Sequence, residues 1–305
     1  MPSAAYDAVH ALQRLVDEGA AKSGGAGRSV LVGLVGRSIQ ASRSPIMHER
    51  EGARLGIRYR YVLIDFDELT LPDEALGDVV AAAEGLGFAG LNVTYPFKQA
   101  VIPSLTRLAD VSRLIGAVNT VVFSSGERIG HNTDSGGFAD SFAANMAGCS
   151  LRSVLQLGAG GAGMAVGHAL LTLGAGELLV FDTDRQRAQH LAMTLRDGSA
   201  KPIEVLTSPE AGIDRASGIV NTTPIGMTKH PGLPLPAELL TARHWVAEVV
   251  YVPAETELVR RARALGCHTL TGTGMAIQQA VLSFELFAGV AADRATMSAH
   301  FEAAA

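Results

Sequence analysis

The segment Val154-Leu155-Gln156-Leu157 runs without a break into Gly158-Ala159-Gly160-Gly161-Ala162-Gly163, and apolar residues at helical spacing follow from Met164 to Leu173. A strand, a GxGxxG turn and a helix in that order leave few folds open. The first glycine permits a tight turn, and the second lets a pyrophosphate approach the backbone. The helix N-terminus then offers N–H groups and the positive end of a dipole. The spacing predicts a βαβ dinucleotide site at Gly158, Gly160, Gly161, Ala162 and Gly163. The alternative is a mere glycine-rich turn in a chain of 34 glycines. Its place between strand and helix argues against that.

The next strand, ELLVFD, ends with Asp182, about 20 residues past the glycine turn, where an acid can accept hydrogen bonds from both ribose hydroxyls of an adenosine. The same carboxylate would repel a 2′-phosphate by about 1–4 kcal/mol at close range. Thr183 offers no guanidinium in compensation, and Arg185 and Arg187 read equally well as a solvated helix face. NAD is therefore expected rather than NADP.

Strand-like and helix-like segments alternate along the rest of the chain. SVLVGLVG (29–36), YRYVLIDF (59–66) and 88–93 read as strands, with helices at 45–55, 72–84 and 105–115. Ser44 reads as an N-cap with Pro45 at the first helical position. A hairpin follows, AVNTVVF and RIGHN around SSGE, and then a helix over 137–146. Beyond the glycine turn come helices at 185–195 and 255–265, strands at 218–223 and 245–251, and a long helix over 275–288. This alternation predicts an α/β protein with parallel sheets. Residues 5–18 have helical spacing and precede a glycine-rich joint at 23–28. The expected division is 1–28 as that appendage, 29–135 with 273–305 as a substrate-binding catalytic domain, and 136–272 as a dinucleotide-binding domain.

Composition narrows the class further. With 305 residues, 48% of them hydrophobic and 18% charged, the chain can bury a sizeable core. Its net charge of −5 gives no basic footprint for nucleic acid. The two cysteines, Cys149 and Cys267, are far apart and have no metal-ligand spacing, so neither a disulfide scaffold nor a metal site is expected. No apolar run is long enough to span a membrane, and Asp7, Asp17 and Glu18 interrupt any leader-like segment. A cytoplasmic protein with a small-molecule substrate, monomeric or homodimeric, is the expectation.

Four short segments of the first half place polar groups beside strand ends or turns: SRSP at 42–45, NVTYPFK at 92–98, GAVNT at 116–120 and GHNTD at 130–134. Any one of them would pass as a cap or turn. Together, and ahead of GAGGAG, they closely resemble the shikimate dehydrogenase family, in particular its quinate/shikimate branch, from Val30 to Phe287. The resemblance implies an N-terminal α/β substrate domain, a C-terminal Rossmann domain with a doubly wound parallel sheet, and an active site in the cleft between them. It implies a reversible oxidation of shikimate to 3-dehydroshikimate, and of quinate to 3-dehydroquinate.

By that resemblance Lys98 and Asp134 form the catalytic pair. Oxidising a secondary alcohol needs a group that takes the hydroxyl proton while the cofactor takes the hydride. A lysine can do so where its surroundings favour the neutral amine, and a neighbouring carboxylate holds and tunes it. The resemblance further implies that Ser42, Ser44 and Tyr251 bind the substrate carboxylate. Asn92, Thr94, Asn119 and Gln279 would hold the ring hydroxyls, and Thr222 and Gly274 would join the cofactor set.

Three positions depart from or vary within the family pattern. Ala41 stands where the family commonly has His, and Asp182-Thr183-Asp184 where NADP-using members commonly carry Asn-Arg-Thr. Ser44 stands where quinate users sometimes have threonine. Two other readings compete: a two-domain Rossmann dehydrogenase for another small polar substrate, and a non-catalytic sensor that binds NAD or shikimate. SRSP and GHNTD count against the first, and the presence of both Lys98 and Asp134 against the second.

Overall fold

The computed structural model describes residues 4–20 and 28–303. Of the glycine-rich joint expected at 23–28, all but the last residue lies outside the described residues. The chain divides into two compact units, residues up to 133 with 280 onward, and residues 134–279.

The first unit starts with α1 (Ala4–Ala20), β1 (Ser29–Gly36), α2 (Ser44–Arg54), β2 (Arg58–Asp65), α3 (Leu76–Gly85) and β3 (Gly90–Val93). It continues through β4 (Arg107–Leu108), α4 (Asp110–Ile115), β5 (Thr120–Ser124) and β6 (Glu127–His131). The sheet order is β2-β1-β3-β5-β6-β4. Strands β2, β1 and β3 are parallel, whereas the hairpin β5–β6 joins antiparallel to β3, so this sheet is mixed. The hairpin turn has Ser125 and Gly126 both at positive φ, the backbone that matches strand twist in a two-residue loop.

Two local expectations need correction. The helix expected over 105–115 is only its last part: Arg107–Leu108 pairs with β6 instead. Ser44 is not the N-cap of α2. Arg43 holds that place without a side-chain cap bond, and the Ser42 hydroxyl accepts the Ser44 N–H at 3.3 Å.

Helix α1 packs on α3, with Leu12 fully buried in the same core as Val35, Ile64, Phe66, Val79, Leu91 and Phe97. Arg60 on β2 donates to the Leu15 and Val16 carbonyls towards the end of α1.

The second unit holds α5 (Thr133–Asn145, which begins one residue earlier), β7 (Val154–Leu157), α6 (Gly161–Thr172), β8 (Leu178–Phe181), α7 (Arg185–Asp197) and β9 (Ile203–Val205). Then come α8 (Glu210–Ile213), β10 (Gly218–Asn221), β11 (Trp245–Glu248), α9 (Glu257–Ala264) and β12 (Thr269–Leu270). All six strands are parallel in the order β12-β11-β10-β7-β8-β9. Strand order reverses between β7 and β10, and a doubly wound sheet binds ligands at the carboxyl ends of strands beside such a switch point. Helix α10 (Gly272–Ala288) crosses the unit boundary, and α11 (Arg294–Glu302) closes the chain in the first unit. No described helix is long and apolar enough to cross a membrane.

Candidate active site

In the first unit, β3 delivers Asn92 into the interior and ends at Val93. Thr94 follows and donates its N–H to Val35, and the chain turns through a cis Tyr95–Pro96 bond. Phe97 anchors the turn: it is 1% exposed and its ring lies 4.5 Å from that of Phe66. Lys98 comes next, half-buried, with its carbonyl accepting the Val118 N–H at 2.8 Å. That bond ties the NVTYPFK turn to the GAVNT segment.

The polar side chains form a connected, buried set. Tyr61 donates to Asn92 Oδ1 at 2.8 Å. Asn92 Nδ2 donates to Thr120 Oγ1 at 3.0 Å and to the Asn119 carbonyl at 3.3 Å. Asn119 in turn accepts the Thr133 N–H at 2.8 Å on Oδ1 and donates to Thr133 Oγ1 at 2.9 Å. Buried amides and hydroxyls are tolerated in an apolar sheet only when paired in this way.

Asp65, at the end of β2, builds the loop that leads to Ser42 and Ser44. Its carboxylate accepts from the Ser38 and Ile39 N–H groups and from the Gln40 side chain, at 2.9–3.0 Å. Burial pushes its carboxyl up, but the bonds from Gln40, Ile39, Asp67 and Ser38 outweigh burial and hold it below the ordinary range. Sequence reasoning missed Asp65, Tyr61 and Thr120. The only signal for Asp65 was an acid at a strand's carboxyl end.

In the second unit the glycines of the turn have separate tasks. Gly158 has φ +99°, a region closed to most residues, and a Cβ there would meet the Thr222 backbone at 2.9 Å. A Cβ on Gly163 would meet the Gly158 carbonyl at 2.5 Å, so this glycine sets how closely α6 sits on the sheet. Gly160 and Gly161 have nothing within 4 Å of a Cβ, which leaves the backbone at the start of α6 open to a ligand. Thr222, buried at the end of β10, places its hydroxyl 2.8 Å from both the Leu157 and Gly158 carbonyls.

Asp182 Oδ2 accepts the Ala159 N–H at 2.7 Å, which sets a carboxylate directly beside the glycine turn. Asp184 is the N-cap of α7, taking the Gln186 and Arg187 N–H groups, and it pairs with the exposed Arg187 at 3.2 Å. Asp134 stands in the first turn of α5. Tyr251, 50% exposed, follows the buried Glu248, which gathers Asn221, the Val250 N–H and Thr256 at 2.9 Å. Burial pushes the Glu248 carboxyl up. Gln279 donates to the Ala276 carbonyl, and a Cβ on Gly274 would strike the Ser141 hydroxyl at 2.2 Å. Thus Ser42, Ser44, Asn92, Thr94, Lys98 and Asn119 share the first unit, and the remaining expected residues lie in the second.

A cavity of about 290 Å3 near His244, Trp245 and His268 opens at the amino ends of β10, β11 and β12. The glycine turn lies at the carboxyl ends of the same sheet, so that cavity is not the dinucleotide site.

Residues 34–121 match the shikimate dehydrogenase substrate binding domain. Over 275 residues the chain is 55% identical to a shikimate dehydrogenase (NADP(+)) of Streptomyces avermitilis, a match covering 89% of this chain and 94% of the relative. The chain belongs to the shikimate dehydrogenase family. It is also 45% identical over 282 residues to a quinate/shikimate dehydrogenase (NAD(+)) of Corynebacterium efficiens, covering 90% and 98% of the two chains. Among solved structures, quinate dehydrogenase from Corynebacterium glutamicum in complex with NAD matches with a TM-score of 0.85 at 43% identity. That match covers 91% of this chain and 100% of the other.

The glycine turn fits the NAD(P) this family uses, and the division of tasks within it is testable. Gly160→Ala fills only open space, so it should weaken dinucleotide binding by roughly tenfold while leaving Tm within about 2 °C of the parent. Gly163→Ala must push the Gly158 carbonyl aside and should lower Tm by several degrees, on the order of 1–3 kcal/mol of overpacking. Calorimetry of dinucleotide binding and of unfolding checks both. Equal losses of Tm in the two variants would undo the assignment.

Proposed function

We propose that this protein is an NAD-preferring dehydrogenase that reversibly oxidises shikimate to 3-dehydroshikimate and turns over quinate more slowly. The observation that carries the substrate reading is the buried chain of hydroxyls and amides around Asn92 and Asn119, closed onto Lys98 through the Val118 bond. Such a set beside the carboxyl end of a strand suits a polyhydroxylated ligand. NAD, when bound, accepts the hydride.

In this reading Lys98 takes the proton of the reacting hydroxyl as the alcohol becomes a ketone, and returns it in the reverse direction. Asp134 is its expected partner in that proton transfer. Ser42, Ser44 and Tyr251 hold the carboxylate, with Asn92, Thr94, Asn119 and Gln279 on the ring hydroxyls. Asp182 supports NAD over NADP, because its carboxylate, held beside the glycine turn by the Ala159 N–H, would meet the adenosine ribose and repel a 2′-phosphate there. Arg187, the cation near enough in sequence to offset it, pairs with Asp184.

Two small serines leave room for the extra hydroxyl on the tetrahedral carbon of quinate, so both substrates should react. A difference of about 1–3 kcal/mol in favour of shikimate is expected. Initial rates with shikimate and quinate, each with NAD and NADP, provide the test. The expected result is kcat/KM at least about fivefold higher with NAD, an energy of about 1 kcal/mol. Higher kcat/KM with NADP would overturn the role of Asp182. Quinate outperforming shikimate would reverse the substrate ranking, and no turnover with either would favour the sensor.

A further inference from the structure

Asn92 is surrounded by groups whose protons can be followed one by one. The Tyr61 phenol is the first of them, donating to the Asn92 carboxamide. Tyr61 is buried, and burial pushes its hydroxyl well above the usual range, so it keeps its proton. That proton points to Asn92 Oδ1 at 2.8 Å. On the far side, Thr120 Oγ1 donates to Asn119 Oδ1 at 3.1 Å, so its lone pair is left to accept from Asn92 Nδ2 at 3.0 Å. The second Asn92 amide hydrogen goes to the Asn119 carbonyl.

Both amide hydrogens of Asn92 are therefore used inside the protein, and its oxygen holds one bond. A carboxamide oxygen can accept two. One acceptor site is what remains for a ligand.

The sheet makes this arrangement possible. Tyr61 pairs in register with Val32, and Val32 with Gly90, so the three lie in one row across β2, β1 and β3. Asn92 lies two residues beyond Gly90 and so on the same face. The phenol thus spans from the row of Gly90 to Asn92. The His48 ring packs edge-on against Tyr61 with centroids 4.8 Å apart, and this contact restricts the phenol's movement.

We propose that Tyr61 is a positioning residue that locks the Asn92 carboxamide so that it presents only its oxygen, and therefore recognises a substrate hydroxyl solely as a hydrogen-bond donor. This assignment rests on the shikimate/quinate reading. Without the Tyr61 hydroxyl, the Asn92 oxygen loses the donor that fixes its direction, and the side chain no longer holds that oxygen in place for the substrate.

The test is steady-state kinetics on the full chain with shikimate and NAD. Tyr61→Phe should raise KM for shikimate on the order of tenfold, the worth of one buried hydrogen bond, and leave KM for NAD within about twofold. In an Asn92→Ala background the same substitution should change shikimate KM by less than about twofold, because the group it orients is gone. Thr120→Val, which frees the amide from its other side, should reproduce the shikimate-only rise and decides the matter if Tyr61→Phe does not fold.

Additive effects of Tyr61→Phe and Asn92→Ala would overturn the assignment, since a merely structural tyrosine acts independently of Asn92. So would a folded Thr120→Val with unchanged shikimate KM. Absence of turnover by the unmodified protein would overturn the functional reading, and this assignment with it. Turnover combined with additivity would overturn the assignment alone.

Discussion

Replacing Lys98 by alanine should lower kcat by about 10²–10⁴, the usual worth of a positioned acid–base group, while leaving the fold and the affinity for NAD unchanged. The stability half of this expectation follows from where the turn is anchored. Phe97, not Lys98, fills the core, and its ring packs at a tilt against Phe66. The bonds that shape the turn are backbone bonds: Phe97 N–H to the Thr94 carbonyl, Val101 N–H to the Phe97 carbonyl, and Val118 N–H to the Lys98 carbonyl. An alanine keeps all three. The cofactor half follows because the glycine turn and Asp182 belong to the other compact unit.

The measurements are kcat with shikimate and NAD, thermal unfolding, and NAD titration of the variant. A fall in kcat with Tm and NAD affinity intact places the loss in the chemical step. Near-normal turnover would remove Lys98 from the mechanism. A fall in Tm of more than a few degrees would make the lysine a structural group.

Features set by local chemistry were readable from the sequence. The run 30–36 is apolar, rich in valine and closed by Gly36, and β1 occupies it together with Ser29. GAGGAG was placed between strand and helix, and the structure separates its glycines into the tight turn, the open backbone and the close packing that the motif demands.

Features set by tertiary pairing were not readable. Leu105 to Ile115 has acceptable helical spacing, but Arg107 and Leu108 find β6 beside them and extend, leaving the helix to begin at Asp110. Strands β9 and β12 have three and two residues, too short to show a period, and exist because a parallel neighbour presents a free edge. Ser44 misled because a serine ahead of proline has the look of a cap, whereas the cap position falls one residue earlier, on Arg43. Tyr61 itself reads as an ordinary strand aromatic. Its partner lies 31 residues away and across an intervening strand, so only register brings the two together.

Acidification should destabilise the first unit through one imidazole. His48 is fully buried among Tyr59, Tyr61, Phe284 and Phe287, with ring centroids 4.8–6.4 Å away. Ser283 gives its proton to the Ala280 carbonyl, so it can only accept from His48 Nε2, at 3.5 Å. Nδ1 is then the unprotonated nitrogen and takes the Tyr59 hydroxyl at 3.0 Å. Burial pushes the imidazole from 6.5 down to about 3. The folded state thus binds this proton only near pH 3, whereas the unfolded chain binds it from about 6.5 downward. Stability from the neutral ring is fully present above 6.5 and is lost as pH falls towards 3, by up to about 1.4 kcal/mol per pH unit. By pH 4 the loss amounts to roughly 3 kcal/mol. Denaturant unfolding of the unmodified protein and of His48→Gln, each at pH 7 and pH 4, isolates this contribution, because every other titrating group is common to both. The unmodified protein should lose about 3 kcal/mol more than the variant over that interval, and equal losses would show that the ring does not resist protonation. Ser44 lies one turn before His48 on α2, so the same acid range should release the helix that carries it, and shikimate KM should rise before the second unit unfolds.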